Sequence, residues 1–163
     1  MNWIQVTGEE AWQHPLYGFG GWLAVIYGIE VLLLGNTLYS VLDIAYRAGV
    51  GTILSTGFAT VWLHLALEIP FLVMAPMRAR AMPPVAIACF WIGVAWNIGY
   101  VLMISIGPLT SFGVVGPMLL SPVWGVVFTL YLLRSRRVNV TYRWRVRAGE
   151  TAGAIDAPPA TSG

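Results

Sequence analysis

Charged side chains are scarce in this chain. Asp, Glu, Lys and Arg make up 10% of its 163 residues, whereas soluble domains carry about 25%. Lysine is absent, so the nine basic residues are all arginines. Because 58% of the residues are hydrophobic, a soluble fold could not cover its surface with solvated groups. This composition predicts an integral membrane protein.

Residues that usually carry chemistry are also few. Cys89 is the single cysteine and lies in an apolar run, which excludes an intrachain disulfide framework and a cysteine-based metal site. We expect Cys89 to be small apolar filler. His14 and His64 are the two histidines, and the sequence shows no catalytic triad pattern, phosphate-binding loop or metal-ligand spacing. A non-enzymatic protein without cofactor or metal is therefore expected.

Four stretches are long and apolar enough to cross a bilayer, which takes about 20 residues of helix. Their bounds are about 17–41, 54–77, 85–106 and 112–133. Each run is apolar on all sides rather than alternating, and a helix pairs its backbone groups internally within lipid. The sequence therefore predicts an all-α bundle of four transmembrane helices.

Glycine and proline mark the connections between these spans, because both residues tend to end helices. One pair falls in each of the three connections. The connecting residues are Gly49 and Gly51, Pro83 and Pro84, and Gly107 and Pro108.

The arginines predict the orientation of the bundle. Arg78 and Arg80 lie between spans two and three, and six more arginines follow span four. The opposite side of the bundle holds only Arg47 with Asp43. Because basic loops stay in the cytoplasm, both ends of the chain are expected to be cytoplasmic.

The two ends of the chain differ in composition. Thr7 and Glu10 have capping-box spacing, so a short helix on the membrane surface is expected within residues 1–16. Residues 134–148 form a basic juxtamembrane segment. Residues 149–163 are rich in Ala, Pro, Thr, Ser and Gly, which predicts disorder.

The six arginines after span four are expected to bind anionic lipid headgroups, at about 1 kcal/mol each near the surface. They are Arg134, Arg136, Arg137, Arg143, Arg145 and Arg147. From residue 138 to residue 147 apolar and polar side chains alternate, which predicts an extended segment along the membrane or a partner. Nucleic acid could bind the same positive charges. Their role in fixing the orientation of the bundle already explains them, so no nucleic-acid partner is expected.

Every predicted span carries polar side chains, which are costly in lipid and usually face protein or water. They are Glu30 in span one, His64 and Glu68 in span two, Asn97 in span three and Ser121 in span four. Since the spans alternate in direction, all but Glu68 fall at nearly one depth, and Glu68 lies about one turn closer to the cytoplasm. The four helices are therefore predicted to share a polar cluster inside the bundle.

This polar cluster has three interpretations. The first is a structural network in which Glu30 hydrogen-bonds to His64 or Asn97 and holds the bundle in register. The second is a hydrated proton or cation site built on Glu30, His64 and Glu68, which would exchange a proton near neutral pH. The third is a site for a lipid or quinone headgroup.

Span one also has a face of small residues that would let another helix approach closely. It consists of Gly21, Ala24, Gly28 and Gly35. Because Glu30 points about 180° away from Gly21, a bundle-facing Glu30 would turn this face outward, towards a second copy or a partner subunit. Alternatively, span one is sandwiched between its own neighbours.

Two short motifs carry a family resemblance. Residues 18–23 (GFGGWL) open the first span, and residues 135–142 (SRRVNVTY) follow the last. Over most of residues 16–147 the chain resembles a family of small bacterial four-span proteins known as domain of unknown function 2569. The resemblance implies a bacterial inner-membrane location and the topology above, and it supplies no catalytic residues.

The functional expectation follows from small size, short loops and the absence of catalytic patterns. These features favour a non-enzymatic accessory or assembly subunit of a larger bacterial membrane complex. A small proton, cation or solute transporter that uses Glu30, His64 and Glu68 is the alternative. A lipid- or quinone-binding membrane protein is the third hypothesis.

Overall fold

The computed structural model describes residues 3–55, 58–104 and 112–148, which are mostly helical. In chain order the elements are β1 (Trp3–Gln5), α1 (Gly8–Gln13), α2 (Trp22–Ala48), α3 (Val50–Ile53), α4 (Ala59–Met74), α5 (Met82–Ile104), α6 (Phe112–Arg134), α7 (Arg136–Arg143) and β2 (Arg145–Arg147). The structure confirms the prediction that the chain is mostly helical. The sequence did not reveal the ribbon of β1 and β2.

Two helices are long and apolar enough to cross a membrane, namely α2 and the part Met82–Leu102 of α5. Helix α4 and the part Leu120–Arg134 of α6 are shorter apolar helices. Large apolar side chains are exposed along these helices, for example Leu32 at 74% and Trp124 at 65%. An apolar surface of this extent suits lipid better than water. The number of four spans stays a prediction.

Helix α2 lies further along the chain than the predicted first span. Gly18 and Gly21 have φ angles of 113° and 59°, which a right-handed helix excludes, so α2 begins only at Trp22. It continues past Val41, the predicted end, because residues 42–48 contain no glycine or proline. Gly49, with φ of 86°, ends it.

The structure also differs from two predicted connections. Pro83 and Pro84 lie in the first turn of α5 rather than between two helices, because a proline at a helix start loses no helical hydrogen bond. Gly51 lies inside the short helix α3. The connection predicted at residues 107 and 108, and the tail of residues 149–163, lie outside the described residues.

Helices α5 and α6 pack closely because a glycine removes a side chain at their contact. A Cβ added at Gly125 would lie 3.2 Å from a ring carbon of Phe90. Across the same contact, the Trp91 indole N–H donates to Thr129 Oγ1 at 3.0 Å. Helix α5 also packs against α4, so it occupies the middle of the three.

Helix α2 joins the bundle mainly through its first turns. Only Leu23 and Val41 of α2 are buried. Leu23 belongs to an apolar cluster that also draws on the end of α4, the start of α5, the end of α6, and α7. The buried members of this apolar cluster are Leu23, Phe71, Ala75, Met82, Ala86, Leu132, Val138 and Tyr142. Because helix starts and helix ends alternate there, consecutive long helices run in opposite directions.

The segment 138–147, predicted to be extended, is instead mostly helical. Helix α7 follows the N-cap Ser135, whose hydroxyl accepts from the N–H of Val138, and only β2 is extended. Residues 138–142 are all buried. The alternation of polar and apolar side chains misled because the polar ones face the ends of other elements rather than water.

Two polar side chains of α7 satisfy backbone groups that would otherwise lack partners. The side-chain amide of Asn139 donates to the carbonyl oxygens of Leu133 and Ser135, each at 2.9 Å. Thr141 Oγ1 accepts from the N–H of Gly18 at 3.0 Å. The last carbonyls of a helix have no partner within it, so Asn139 caps α6, and Thr141 fixes the approach to α2.

Tyr142 connects α7 to α4. Its hydroxyl donates to the carbonyl oxygen of Ala75 at 2.6 Å, just beyond the end of α4. Burial raises the pKa of Tyr142 well above its usual value, so the phenol stays protonated and able to donate. Helix α7 therefore holds three long helices together at one end of the bundle.

The two ends of the described chain meet beside α7. β1 pairs antiparallel with β2, with Ile4 opposite Val146. The helix expected from the capping box is present as α1: Thr7 is its N-cap, and the Glu10 carboxylate accepts from the Thr7 N–H at 2.7 Å. Both ends thus lie at the same end of the bundle.

We predict that Tyr142→Phe lowers the free energy of unfolding by about 0.5–1.5 kcal/mol, the net contribution of one hydrogen bond, because the Ala75 carbonyl keeps the backbone N–H of Arg78 at 3.2 Å. Tyr46→Phe, at a side chain that is 91% exposed, should change it by less than about 0.5 kcal/mol. Reversible unfolding in mixed detergent micelles measures both variants. Equal effects would show that the Ala75 carbonyl does not depend on Tyr142.

Candidate functional site

The polar side chains of the long helices lie around one cavity of about 140 Å³. Helices α2, α4, α5 and α6 all contribute to its lining. The five polar residues singled out in the sequence are all among the lining residues: Glu30, His64, Glu68, Asn97 and Ser121. The structure thus brings together side chains from four separate helices.

Helical spacing explains why these side chains meet. On α4, His64 and Glu68 are four residues apart and share one face. On α5, Cys89, Gly93 and Asn97 repeat that spacing and all line the cavity. The sequence analysis missed the place of Cys89, which we expected to be filler, although its spacing from Asn97 already put both on one face.

A hydrogen bond orients the imidazole of His64. Its Nδ1 lies 2.7 Å from the carbonyl oxygen of Thr60. Because a carbonyl only accepts, Nδ1 donates its proton to Thr60. Thr60 is held in turn from α5, since the Trp96 indole N–H donates to its Oγ1 at 3.2 Å. The imidazole of His64 is therefore held in a defined position.

Asn97 also belongs to the cavity lining. Its Oδ1 is buried, and none of the described residues donates a hydrogen bond to it. A buried polar atom in that state costs about 1–3 kcal/mol. A donor group on a molecule in the cavity would remove this cost.

The charges of the cavity favour hydrogen-bond donors over anions. Its ionisable side chains are Glu30, Glu68, His64 and Cys89, and no arginine is found among its described lining residues. Carboxylates accept hydrogen bonds and repel anions. Within the described ranges, no group of three or more His, Cys, Asp or Glu side chains is placed to hold a metal ion. A hydroxyl or amine group suits this lining best.

An apolar groove of about 570 Å³ lies beside the cavity, between α2 and α6. Its walls are aromatic and aliphatic side chains: Trp22, Ile26, Ile29, Leu33, Trp124, Val127 and Tyr131. Four residues line both the groove and the cavity, namely Glu30, Phe90, Ser121 and Phe128. The cavity and the apolar groove therefore adjoin, and these four residues form the boundary between them.

Packed apolar side chains close the cavity towards α7. Phe71 and Ala86 belong both to the cavity lining and to the apolar cluster. Beyond them, Met82, Leu132 and Tyr142 are at most 1% exposed. A polar group in the cavity is thus separated from the α7 end by well-packed side chains.

The small-residue face predicted on the first span is only partly a helix surface. Gly21 is the N-cap of α2, and a Cβ added there would lie 3.3 Å from Nε of Arg137. Ala24 is half-buried. A Cβ added at Gly28 or Gly35 would meet no described atom within 4 Å. The outer face of α2 is therefore open around these two glycines.

The arginines of the basic segment are divided among α6, α7 and β2 instead of following one extended strand. Three are exposed, and three are partly buried. The exposed ones are Arg134, Arg136 and Arg145, and the partly buried ones are Arg137, Arg143 and Arg147. The guanidinium carbon of Arg147 lies 5.8 Å from the ring centroid of Trp3. Binding of lipid headgroups by these arginines stays a prediction.

The two motifs behind the family resemblance meet in the structure. Thr141 of the second motif lies 3.0 Å from the N–H nitrogen of Gly18 in the first. The resemblance to the domain of unknown function 2569 family nevertheless stays a prediction. Comparison with models of protein families, with curated proteins and with solved structures found no match to the chain.

Proposed function

We propose that the chain is a four-span protein of the bacterial cytoplasmic membrane with both ends in the cytoplasm. Its spans would be α2, α4, α5 and α6. The alternating directions of these helices and their exposed apolar surfaces support this topology. Helix α4 covers about 24 Å at 1.5 Å per residue, and Phe58 with residues 75–77 adds apolar length. Arg78, Arg80 and the basic segment mark the α7 end as cytoplasmic.

Within that membrane the protein has a non-enzymatic role, the binding of a lipid-soluble amphiphile with a hydroxyl or amine head. The observation that carries this proposal is the lining shared by the polar cavity and the apolar groove. The head of the ligand occupies the cavity, and its tail lies in the groove between α2 and α6. Such a molecule enters sideways from the lipid and does not pass through water.

The head provides the selectivity. A tail that moves from lipid into an apolar groove contributes little binding free energy, because both surroundings are apolar. A hydroxyl or amine head gains hydrogen bonds to the carboxyl groups of Glu30 and Glu68 in the lining, and each hydrogen bond contributes about 0.5–1.5 kcal/mol. A quinol belongs to this class because it has two phenolic hydroxyls. A phosphate head would face Glu30 and Glu68 with no arginine among the described lining residues.

Transport of protons or cations has less support. A transport pathway must reach the cavity from both faces of the membrane, and the apolar cluster closes its α7 end. The open side is the groove, whose walls are apolar. This arrangement favours a binding site within the membrane over a conducting path.

An accessory role in a larger membrane complex is the second candidate. The outer face of α2 favours it, because Gly28 and Gly35 leave room for the close approach of another helix. That face lies about 200° around α2 from Glu30 at 100° per residue. A partner helix on this face and an amphiphile in the groove are therefore compatible.

Photolabelling tests the ligand class. The full chain is placed in nanodiscs of neutral lipid with a fatty alcohol that carries a diazirine in its tail. We predict crosslinks on the parts of α2 and α6 that line the groove. Dodecylamine should compete for labelling, whereas dodecyl phosphate, which has the same tail, should not. Equal competition by both compounds would contradict the head selectivity.

Two neighbouring valines provide matched variants for this experiment. Val127 lines the groove, whereas Val126 is 48% exposed and lies outside it. Val127→Trp should fill the groove and reduce labelling by about fivefold or more, as an overpacking cost of about 1–3 kcal/mol implies. Val126→Trp should leave labelling unchanged. Labelling that is insensitive to Val127→Trp would place the ligand elsewhere.

Reporter fusions test the topology. We predict that green fluorescent protein fused after Arg147 is fluorescent and that alkaline phosphatase fused there is inactive, because that end would be cytoplasmic. The reverse pattern is expected for fusions in the connection at Ser55. Phosphatase activity after Arg147 would overturn the proposed orientation without bearing on the cavity itself.

A further inference from the structure

Three arginines from three separate elements surround a depression of about 400 Å³ at the α7 end. Arg80 comes from the connection between α4 and α5, Arg143 from the end of α7 and Arg145 from β2. The other lining residues are Gln5, Pro84 and Tyr142. This depression shares no lining residue with the cavity or the groove, so it is a separate surface.

The fold holds these arginines in position. The guanidinium of Arg80 stacks on Trp144, with its carbon 3.9 Å from the ring centroid. Arg145 is directly opposite Gln5 in the register of the β1–β2 ribbon. Arg143 is partly buried, and burial together with the nearby charge of Arg145 lowers the pKa of Arg143. The stacked Arg80 and the partly buried Arg143 therefore lose little freedom when they bind a ligand.

The positive charge of the depression is not offset by a carboxylate. Its lining contains no Asp or Glu, and the salt bridge found within the described ranges joins Arg47 to Asp43 on α2. The carboxylate of Glu10, on α1, is engaged by Thr7. Since the like charges of Arg143 and Arg145 repel each other, an anion placed between them would be attracted by both.

We propose that Arg80, Arg143 and Arg145 bind a phosphate group. The planar guanidinium fork matches pairs of phosphate oxygens, and the side-chain amide of Gln5 is a further donor. The first turn of α5 offers few backbone hydrogen-bond donors to the phosphate, because Pro83 and Pro84 have no N–H. The phosphate belongs either to an anionic phospholipid headgroup or to a soluble phosphate compound, and the recognition chemistry is the same.

Isothermal titration calorimetry of the full chain in neutral maltoside micelles separates the two sources. One arm titrates dihexanoyl phosphatidate and the other inorganic phosphate, each against chloride at equal ionic strength. Binding of the short-chain lipid alone assigns the site to a headgroup. Binding of inorganic phosphate, with or without the lipid, assigns it to the phosphate group itself. If neither ligand binds, the proposal is overturned.

Two single-charge variants show whether the site is discrete. Arg145→Gln, on an exposed strand, should weaken binding by about tenfold through the loss of one charge-assisted contact. Arg134→Gln removes the same charge from an exposed position outside the depression and should change the affinity by less than about twofold. Equal weakening in both variants would indicate diffuse surface attraction and overturn the proposal. Both variants should retain the thermal midpoint of the wild type, because neither side chain is buried.

Discussion

Helix α7 inserts among the ends of the long helices, and its polar side chains donate hydrogen bonds to backbone carbonyls at those ends. Asn139 caps α6, and Tyr142 donates to the Ala75 carbonyl beyond α4 at 2.6 Å. Between these bonds, Val138 and Val140 are completely buried. Burying helix-end carbonyls without hydrogen bonds would cost free energy. These hydrogen bonds therefore allow the apolar cluster to pack tightly beside the helix ends. The positions of the helices, and of everything they carry, depend on this arrangement.

The cavity lies where the tight packing of the apolar cluster ends. Leu23 holds the start of α2 in the apolar cluster, whereas most of the remaining helix is exposed. The gap between α2 and α6 becomes the groove, and Glu30 and Ser121 lie where it joins the cavity. A carboxylate in such a place is costly in lipid unless a donor meets it. In the proposed function an amphiphile with a donor head would offset that cost, and the apolar cluster closes the cavity towards the α7 end.

The sequence predicted the features that depend on composition and helical period. These are the long helices and the polar side chains that line one cavity, because a run of apolar residues and a spacing of four are local properties. Helix α7 was mispredicted because it depends on contacts with distant residues. The partner of Tyr142, for example, is 67 residues away, and such contacts produce no periodic pattern in the sequence. The three-residue strands were too short to recognise, and the groove depends on how α2 packs against helices far along the chain, which no local pattern specifies. The late start of α2 follows from positive φ angles at Gly18 and Gly21, which composition does not specify.

The native Cys89 gives the most direct measurement of the central claim, that the polar cavity is reached from the lipid through the groove. Cys89 lines the cavity and is the single cysteine of the chain, so the mass of the intact protein reports its modification without any substitution. Membrane vesicles opened to both faces would be treated with dodecyl methanethiosulfonate or with a charged, water-soluble methanethiosulfonate of similar reactivity. The account predicts that the alkyl reagent modifies Cys89 and that the charged reagent does not. Modification by the charged reagent, or protection of Cys89 from the alkyl reagent until the protein is unfolded, would contradict it.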